Sequence, residues 1–496
     1  MIKKDEWPLI RFIEPAFPEV NVFSKVAQRT TSLGLIMVAT SANKLWGWRV
    51  EVINENNYKG PRDENGLPDH LVLQKEKPAT VVGFYCGLTS TMERVWQLAE
   101  FYHQQGVFNI AGSWHAHYCS EETLRHNIDV VVHGAGDEII QKILNSRDQL
   151  KNIPGISFWD GEEIKRNEPE RLEVSILNNL PYPDFGLLRY AKIKTYPIGR
   201  IRGCSMNCEF CSVRGKPYWA DAEHLFNTVK WLVETRKARH FFIVDDRLEQ
   251  DPEGTKRFFQ MISDFYDSRL SFSVQIRLET AKNIELLKIM KNAGVRVACI
   301  GYESPIDEDL KVMRKGYNSA KMLEWTKILK HYIPWIHGMF IIGYPAKNKI
   351  DPSKAFKSYK KFIRKSCITT IQVLLPVPIP GSDLRKRLKR EKKLLDVSWR
   401  YYDGSYPCFK PDNLSPKELQ DMGLKLMRRF YNFWSFFRIP LKTIIFPFHY
   451  LLKGWSSWLH TWFKDIIKYG AHRLVIKWHK RQKNASFFRD LNKSQE

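Results

Sequence analysis

Short apolar runs recur between Thr80 and Leu375, each five to seven residues long and each followed by a stretch of helical period. That alternation is the strongest constraint on the fold, because a strand that re-enters its sheet in parallel needs a helical crossover. It restricts the chain to an α/β class. In the first region, Thr80–Cys86, Phe108–Gly112 and Asp129–His133 read as strands, with a helix over Met92–Gln105 and another from about Asp137. The prolines of Leu180-Pro-Tyr-Pro-Asp-Phe then resist both helix and sheet interior and mark a linker. Beyond it a second series predicts strands over Tyr196–Ile201, His240–Val244, Ser271–Ile276, Arg296–Ile300, Ile336–Ile342 and Thr369–Leu375. Six βα units are an incomplete (β/α) barrel, whose reactive groups belong at the carboxyl ends of its strands. The domains are therefore expected at 1–183 (Rossmann-like), 184–398 (partial barrel) and 399–496, a helical region entered after a basic helix over Leu384–Leu395. Ser415 and Pro416 are placed to start a helix there.

Of eight cysteines only three cluster, in Cys204-Ser-Met-Asn-Cys208-Glu-Phe-Cys211. This is not the even framework of a secreted disulfide protein, and the first residues lack an apolar run of signal-peptide length, so a cytoplasmic location is expected. The loop follows directly on the first barrel strand. Three thiolates on one short loop can hold three irons of a [4Fe-4S] cubane and leave the fourth iron exchangeable. A structural zinc site needs a fourth Cys or His, and no His lies between Cys204 and Cys211.

These residues resemble the radical S-adenosylmethionine superfamily, whose signature is a Cys-x3-Cys-x2-Cys loop with an aromatic residue, here Phe210, before the last cysteine. The resemblance implies cluster ligation by Cys204, Cys208 and Cys211, with Phe210 near the adenine of S-adenosylmethionine. It further implies cofactor contacts from the ends of later strands: Asp245 and Asp246 after the second, Gln275 and Arg277 after the third, Glu303 and Ser304 in Gly-x-Glu-Ser after the fourth. Gly343-Tyr-Pro345 and the Pro376–Gly381 turn close the fifth and sixth as the family does. The whole arrangement resembles the subgroup with an N-terminal cobalamin-binding-like domain, which includes anaerobic magnesium-protoporphyrin ester cyclase and the hopanoid C-methylases. Gly112 and His115 stand where that subgroup has Gly-Gly-x-His, and Gly134 and Gly136 in its acidic glycine turn. Trp114 and Ala135 depart from the pattern, and no Asp-x-His-x-x-Gly stretch supplies a cobalt-ligating histidine. Two readings follow, cobalamin bound without protein ligation or a retained scaffold. His115 and His117 show no further metal ligands nearby, and are expected to line the sheet edge or to hydrogen-bond to backbone.

Net charge is +24, and from Pro411 onward 16 Lys and Arg stand against 6 Asp and Glu. There they are interleaved with Trp434, Trp455, Trp458, Trp462 and Trp478. Ammonium groups alternating with indoles suit a peripheral membrane interface on the cytoplasmic face better than a nucleic-acid groove, and no RNA-binding module follows the barrel. Pro447 and Gly454 argue against a spanning helix in the apolar stretch Thr443–Phe463. The expected function is cobalamin-dependent methylation of an unactivated carbon on a lipid-like or other hydrophobic substrate, with a reductase, ferredoxin or flavodoxin as electron donor. The alternative is radical cyclisation, carbon–carbon coupling or rearrangement without methyl transfer.

Overall fold

The computed structural model describes residues 4–18, 27–170, 176–346, 351–432, 434, 437, 466–467, 469–480, 482 and 486–493. They divide into two compact units. The first takes in the described residues up to Gly203 together with Lys216–Asp245; the second takes in Cys204–Gly215 and the described residues from Asp246 onward.

The first unit is built on a seven-stranded sheet: β1 (Leu9–Glu14), β2 (Arg49–Asn54), β3 (Val81–Tyr85), β4 (Phe108–Gly112), β5 (Val130–Val132), β6 (Ile156–Asp160) and β7 (Glu163–Arg166), in the order β2-β1-β3-β4-β5-β6-β7. Pairing is parallel from β2 to β5 and antiparallel through β6 and β7. Val81, Val82, Gly83 and Phe84 are all buried, as a parallel strand covered on both faces requires. The chain reverses direction across the sheet between β1 and β3, the switch point where such sheets leave a crevice at their carboxyl edge. Strand β1 carries a buried arginine. Arg11 is 0% exposed and is satisfied by Glu51 (2.6 Å), Gln74, Tyr102 and the carbonyls of Leu73 and Lys77. Full pairing is what makes that burial tolerable.

All six strands expected of the second series form: β8 (Tyr196–Ile198) and β11 (His240–Ile243) in the first unit, β12 (Ser271–Ile276), β13 (Val295–Glu303), β14 (Trp335–Ile341) and β15 (Thr370–Leu374) in the second. Neighbours within each unit pair in parallel. Between β8 and β11 lies a small antiparallel ribbon of β9 (Ile201–Arg202) and β10 (Tyr218–Trp219), so the first barrel strand ends at Ile198 rather than Ile201. The carboxylate of Asp245 causes that break. It accepts from the backbone amides of Arg200 (2.7 Å) and Ile201 (2.9 Å) and turns the chain out of the sheet.

The basic helix is shorter than expected, Asp383–Arg390 instead of Leu384–Leu395. Lys392 adopts a left-handed φ of 54°, and the amide of Lys393 closes back on the carbonyl of Leu388. That is a helix-stop geometry. Ser415 does cap the helix Pro416–Phe430, through a reciprocal capping box with Glu418. Trp478, counted above among interfacial tryptophans, is buried, and Phe487 and Leu491 pack against Tyr401, Tyr402 and Tyr406. Part of the aromatic tail is therefore core of the second unit. Trp434 and Phe437 are exposed, at 70% and 52%. Residues 443–463 lie outside the described residues, and among those described no helix is long and apolar enough to cross a membrane.

Candidate functional site

The three clustered cysteines sit on an irregular loop of the second unit. None of them is in a disulfide. Burial pushes the Cys211 thiol up to about 11, and the nearby Cys208, Cys204 and Asp246 push it the same way. Three convergent sulfurs beside a carboxylate in a partly dry loop would repel one another as thiolates. A bound cation relieves that repulsion, so the donor set fits an iron-sulfur cluster held through three cysteines.

Side chains on both flanks fix the loop. Glu209, between two of the cysteines, is buried and receives two bonds from Arg387 (Nε 2.7 Å, Nη2 3.1 Å) and one from the Tyr344 hydroxyl (2.7 Å). Its carbonyl accepts the amide of Leu384 (2.9 Å), so the helix Asp383–Arg390 grips this residue by backbone and side chain. Arg314 reaches the carbonyl of Asn207 (3.3 Å) and the Asp383 carboxylate (2.8 Å), and Arg214 meets the same carboxylate at 3.1 Å. The cluster loop is thus clamped by residues more than a hundred positions away. Sequence inspection passed over Glu209 and Arg387 because nothing local links them.

The end of β13 carries a second device. Glu303 has φ 57°, in the left-handed region that a glutamate rarely adopts, and the register of β13 shifts between Gly301 and Glu303. Its carboxylate folds back so closely that a Cβ on Gly301 would collide with its Oε1. The Lys315 ammonium answers it at 3.0 Å, side chains 6% and 11% exposed. The same ammonium lies 5.8 Å over the Phe210 ring and 5.9 Å over Tyr317. Burial opposes the charge on Lys315 most strongly, but Glu303, Tyr317 and Cys208 together outweigh it and raise the pKa. Lys315 was missed in the sequence; its place two residues before Tyr317 in Arg-Lys-Gly-Tyr was the available signal.

The remaining expected residues are placed as follows. Asp246 is exposed and close enough to Cys211 to raise its thiol, whereas Asp245 is buried against its turn. Gln275 is exposed on the polar face of β12, opposite Phe272, Val274 and Ile276. Arg277 pairs with Glu279 (2.6 Å) and donates to the carbonyl of Lys315 (3.0 Å). Ser304 is buried, donates to Asp309 (2.6 Å) and accepts from the amide of Ile306, which makes it a support of the following helix. Burial raises Asp309 to about 6.

In the first unit, Gly112 ends β4 and Gly134 follows β5 with φ 75°. Gly136 starts the helix Gly136–Asn145, and a Cβ there would meet Val38 at 3.3 Å. His115 is buried, its Nδ1 3.2 Å from the Thr89 hydroxyl. A pocket of about 80 Å³ opens at this edge, lined among others by His133, Gly134, Asp137, Lys142, Arg202 and Tyr218.

Residues 198–357 match the family described as the Radical SAM superfamily, and they contain the three-cysteine loop and the Glu303–Lys315 pair. This stretch of the chain is a radical S-adenosylmethionine domain. An uncharacterized methyltransferase of Pyrococcus horikoshii is 26% identical over 377 residues, spanning 70% of this chain and 77% of that one. The anaerobic magnesium-protoporphyrin IX monomethyl ester cyclase of Cereibacter sphaeroides is 24% identical over 376 residues, 70% of this chain and 58% of that one. Among solved structures, the radical S-adenosylmethionine methyltransferase TsrM from Kitasatospora setae, with cobalamin and a [4Fe-4S] cluster bound, superposes with a TM-score of 0.64 at 14% identity. It covers 78% of this chain and 75% of its own length, and the likeness is one of fold.

Proposed function

We propose that this enzyme methylates an unactivated carbon of a hydrophobic substrate, with cobalamin as the methyl carrier. The observation that carries the reading is the clamped loop on which Cys204, Cys208 and Cys211 converge beside the buried Glu303–Lys315 pair. Cluster and S-adenosylmethionine together supply radical chemistry able to break a C–H bond, which the protein orients and keeps dry. Cys204, Cys208 and Cys211 are the ligands. Phe210 offers a ring face to the adenine, and Asp246, Gln275 and Glu303 offer polar groups to the amino-acid and ribose ends. Asp245, Arg277 and Ser304 act from behind, each held by backbone or ion-pair bonds. Gly112, His115, Gly134 and Gly136 border the sheet edge where cobalamin is assigned.

The methyltransferase name of the Pyrococcus relative and the cobalamin in the TsrM structure support methyl transfer. Cyclisation, coupling or rearrangement without methyl transfer is the weaker reading. Exposed Trp434 and Phe437, in a tail rich in lysine and arginine, support docking on an anionic membrane face and a substrate drawn from it. Electrons would come from a reductase, ferredoxin or flavodoxin. Anaerobic reconstitution tests the site: about four irons should bind per chain. Cys208→Ala should abolish cluster and S-adenosylmethionine cleavage, while Cys367→Ala keeps both. A full cluster on the Cys208→Ala protein contradicts the assignment.

A further inference from the structure

We infer that the first unit holds a second metal site, a zinc ion bound by His115, Cys119 and Glu122. After β4 the chain forms two short helical turns, Trp114–Tyr118 and Ser120–Leu124, joined at Cys119. The three residues are spaced i, i+4 and i+7; Cys119 itself leaves helical geometry at φ −126°, but its amide still donates to the His115 carbonyl at 2.9 Å and keeps the two turns together. Their ligand atoms all lie within 4.8 Å of one another. The His115 imidazole is fully buried, and its Nε2 stands 4.0 Å from the Glu122 carboxylate. Its other nitrogen, Nδ1, is 3.2 Å from the Thr89 hydroxyl. Ligating histidines are oriented in this way, because a bond on one nitrogen sets the tautomer and aims the other at the metal.

The donor set chooses the ion. One thiolate, one imidazole and one carboxylate suit zinc, whereas magnesium and calcium prefer oxygen alone. With metal bonds of about 2.0–2.3 Å, tetrahedral ligand atoms are about 3.4–3.6 Å apart, so small side-chain adjustments close the observed cluster on one ion. Glu122 is 38% exposed at its side chain, which leaves water access for a fourth ligand. Cys119 belongs to the first unit and the three cluster cysteines to the second, so the two metals draw on separate donors. The proposed methyl transfer does not use this ion; its His115 borders the edge assigned there to cobalamin, and metal content measured without added cobalamin tests the site apart from that reading.

Zinc and iron are measured by mass spectrometry on full-length protein purified anaerobically, in wild type and in the C204A/C208A/C211A variant. About one zinc per chain is expected in both, since the triple variant keeps the whole His115 site. Cys119→Ser and Glu122→Gln, made in the triple variant, each remove a direct ligand and should weaken zinc by more than the roughly tenfold to hundredfold that loss of a supporting residue costs, read in competition with a colorimetric chelator. Glu122→Gln alters an accessible side chain and decides the matter where Cys119→Ser folds poorly. Cobalt(II) added to the triple variant after its zinc has been stripped with a chelator should show a thiolate charge-transfer band that Cys119→Ser abolishes. Zinc that disappears with the cluster cysteines, wild-type affinity in Glu122→Gln, or no zinc on any variant overturns the site.

Discussion

Replacing Arg387 by alanine should loosen the cluster loop without touching a cluster ligand. In the wild type the Glu209 carboxylate is 7% exposed at its side chain and takes two bonds from Arg387 and one from Tyr344. Stripping the cation from a buried pair costs about 3–5 kcal/mol, because the remaining charge stays in a poor solvent. The Tyr344 bond survives and offsets about 1 kcal/mol of that. The balance, about 2–4 kcal/mol, corresponds to roughly a thirtyfold to thousandfold rise in loop opening at 1.4 kcal/mol per tenfold. Hydrogen exchange of the backbone amides of Cys204–Gly215 in cluster-free protein reads this directly, and the half-life of the assembled cluster against an iron chelator reads its consequence. The charge-neutral Glu209→Gln/Arg387→Met protein should recover most of the loss. Unchanged exchange and cluster half-life in Arg387→Ala would refute the clamp.

Other expectations follow from the same geometry. Lys315→Met leaves Glu303 buried without its cation, and S-adenosylmethionine should bind at least about tenfold more weakly while the four irons stay; equal binding contradicts the role given to the pair. Burial, then Arg166 and His117, push His133 down to about 4 from 6.5. The unfolded chain therefore takes up a proton in that window before the native state does, and stability should fall as pH drops from 6.5 through about 4. Urea midpoints across the window should show a flatter profile for His133→Asn, and an identical profile counts against the assignment. On anionic liposomes the wild type should sediment strongly at low salt and partly at high salt, because salt screens the cations but leaves aromatic burial intact. The W434A/F437A protein should lose the salt-resistant fraction; equal sedimentation removes the membrane-face proposal.

Much of the architecture was legible because its signals are local. Phe108–Gly112 and Ser271–Ile276 form over the residues expected, whereas the cysteine loop follows the short ribbon strand Ile201–Arg202 and not the first barrel strand directly. What stayed hidden depends on partners distant in sequence. Strand β1 was not recognised, since Arg11 interrupts its apolar pattern, and the Glu51 carboxylate that neutralises it and the Tyr102 hydroxyl that accepts from it lie 40 and 91 residues on. Glu209 looked like filler between two cysteines, and its partner lies 178 residues away. The left-handed backbone of Glu303 gave no sign in a Gly-x-Glu-Ser motif. His115 is the opposite case. Weighed beside His117, it lacked further ligands, but Cys119 and Glu122 follow at helical spacing and could have been read.

The central claim, methyl transfer joined to radical chemistry, is tested most directly by the fate of S-adenosylmethionine in anaerobically reconstituted protein with and without cobalamin. One molecule should serve as methyl donor and another as radical source, so S-adenosylhomocysteine and 5′-deoxyadenosine should both accumulate, the former only when cobalamin is present. Formation of 5′-deoxyadenosine alone, with no binding or stimulation by cobalamin, would contradict methyl transfer and leave a radical enzyme of the non-methylating kind.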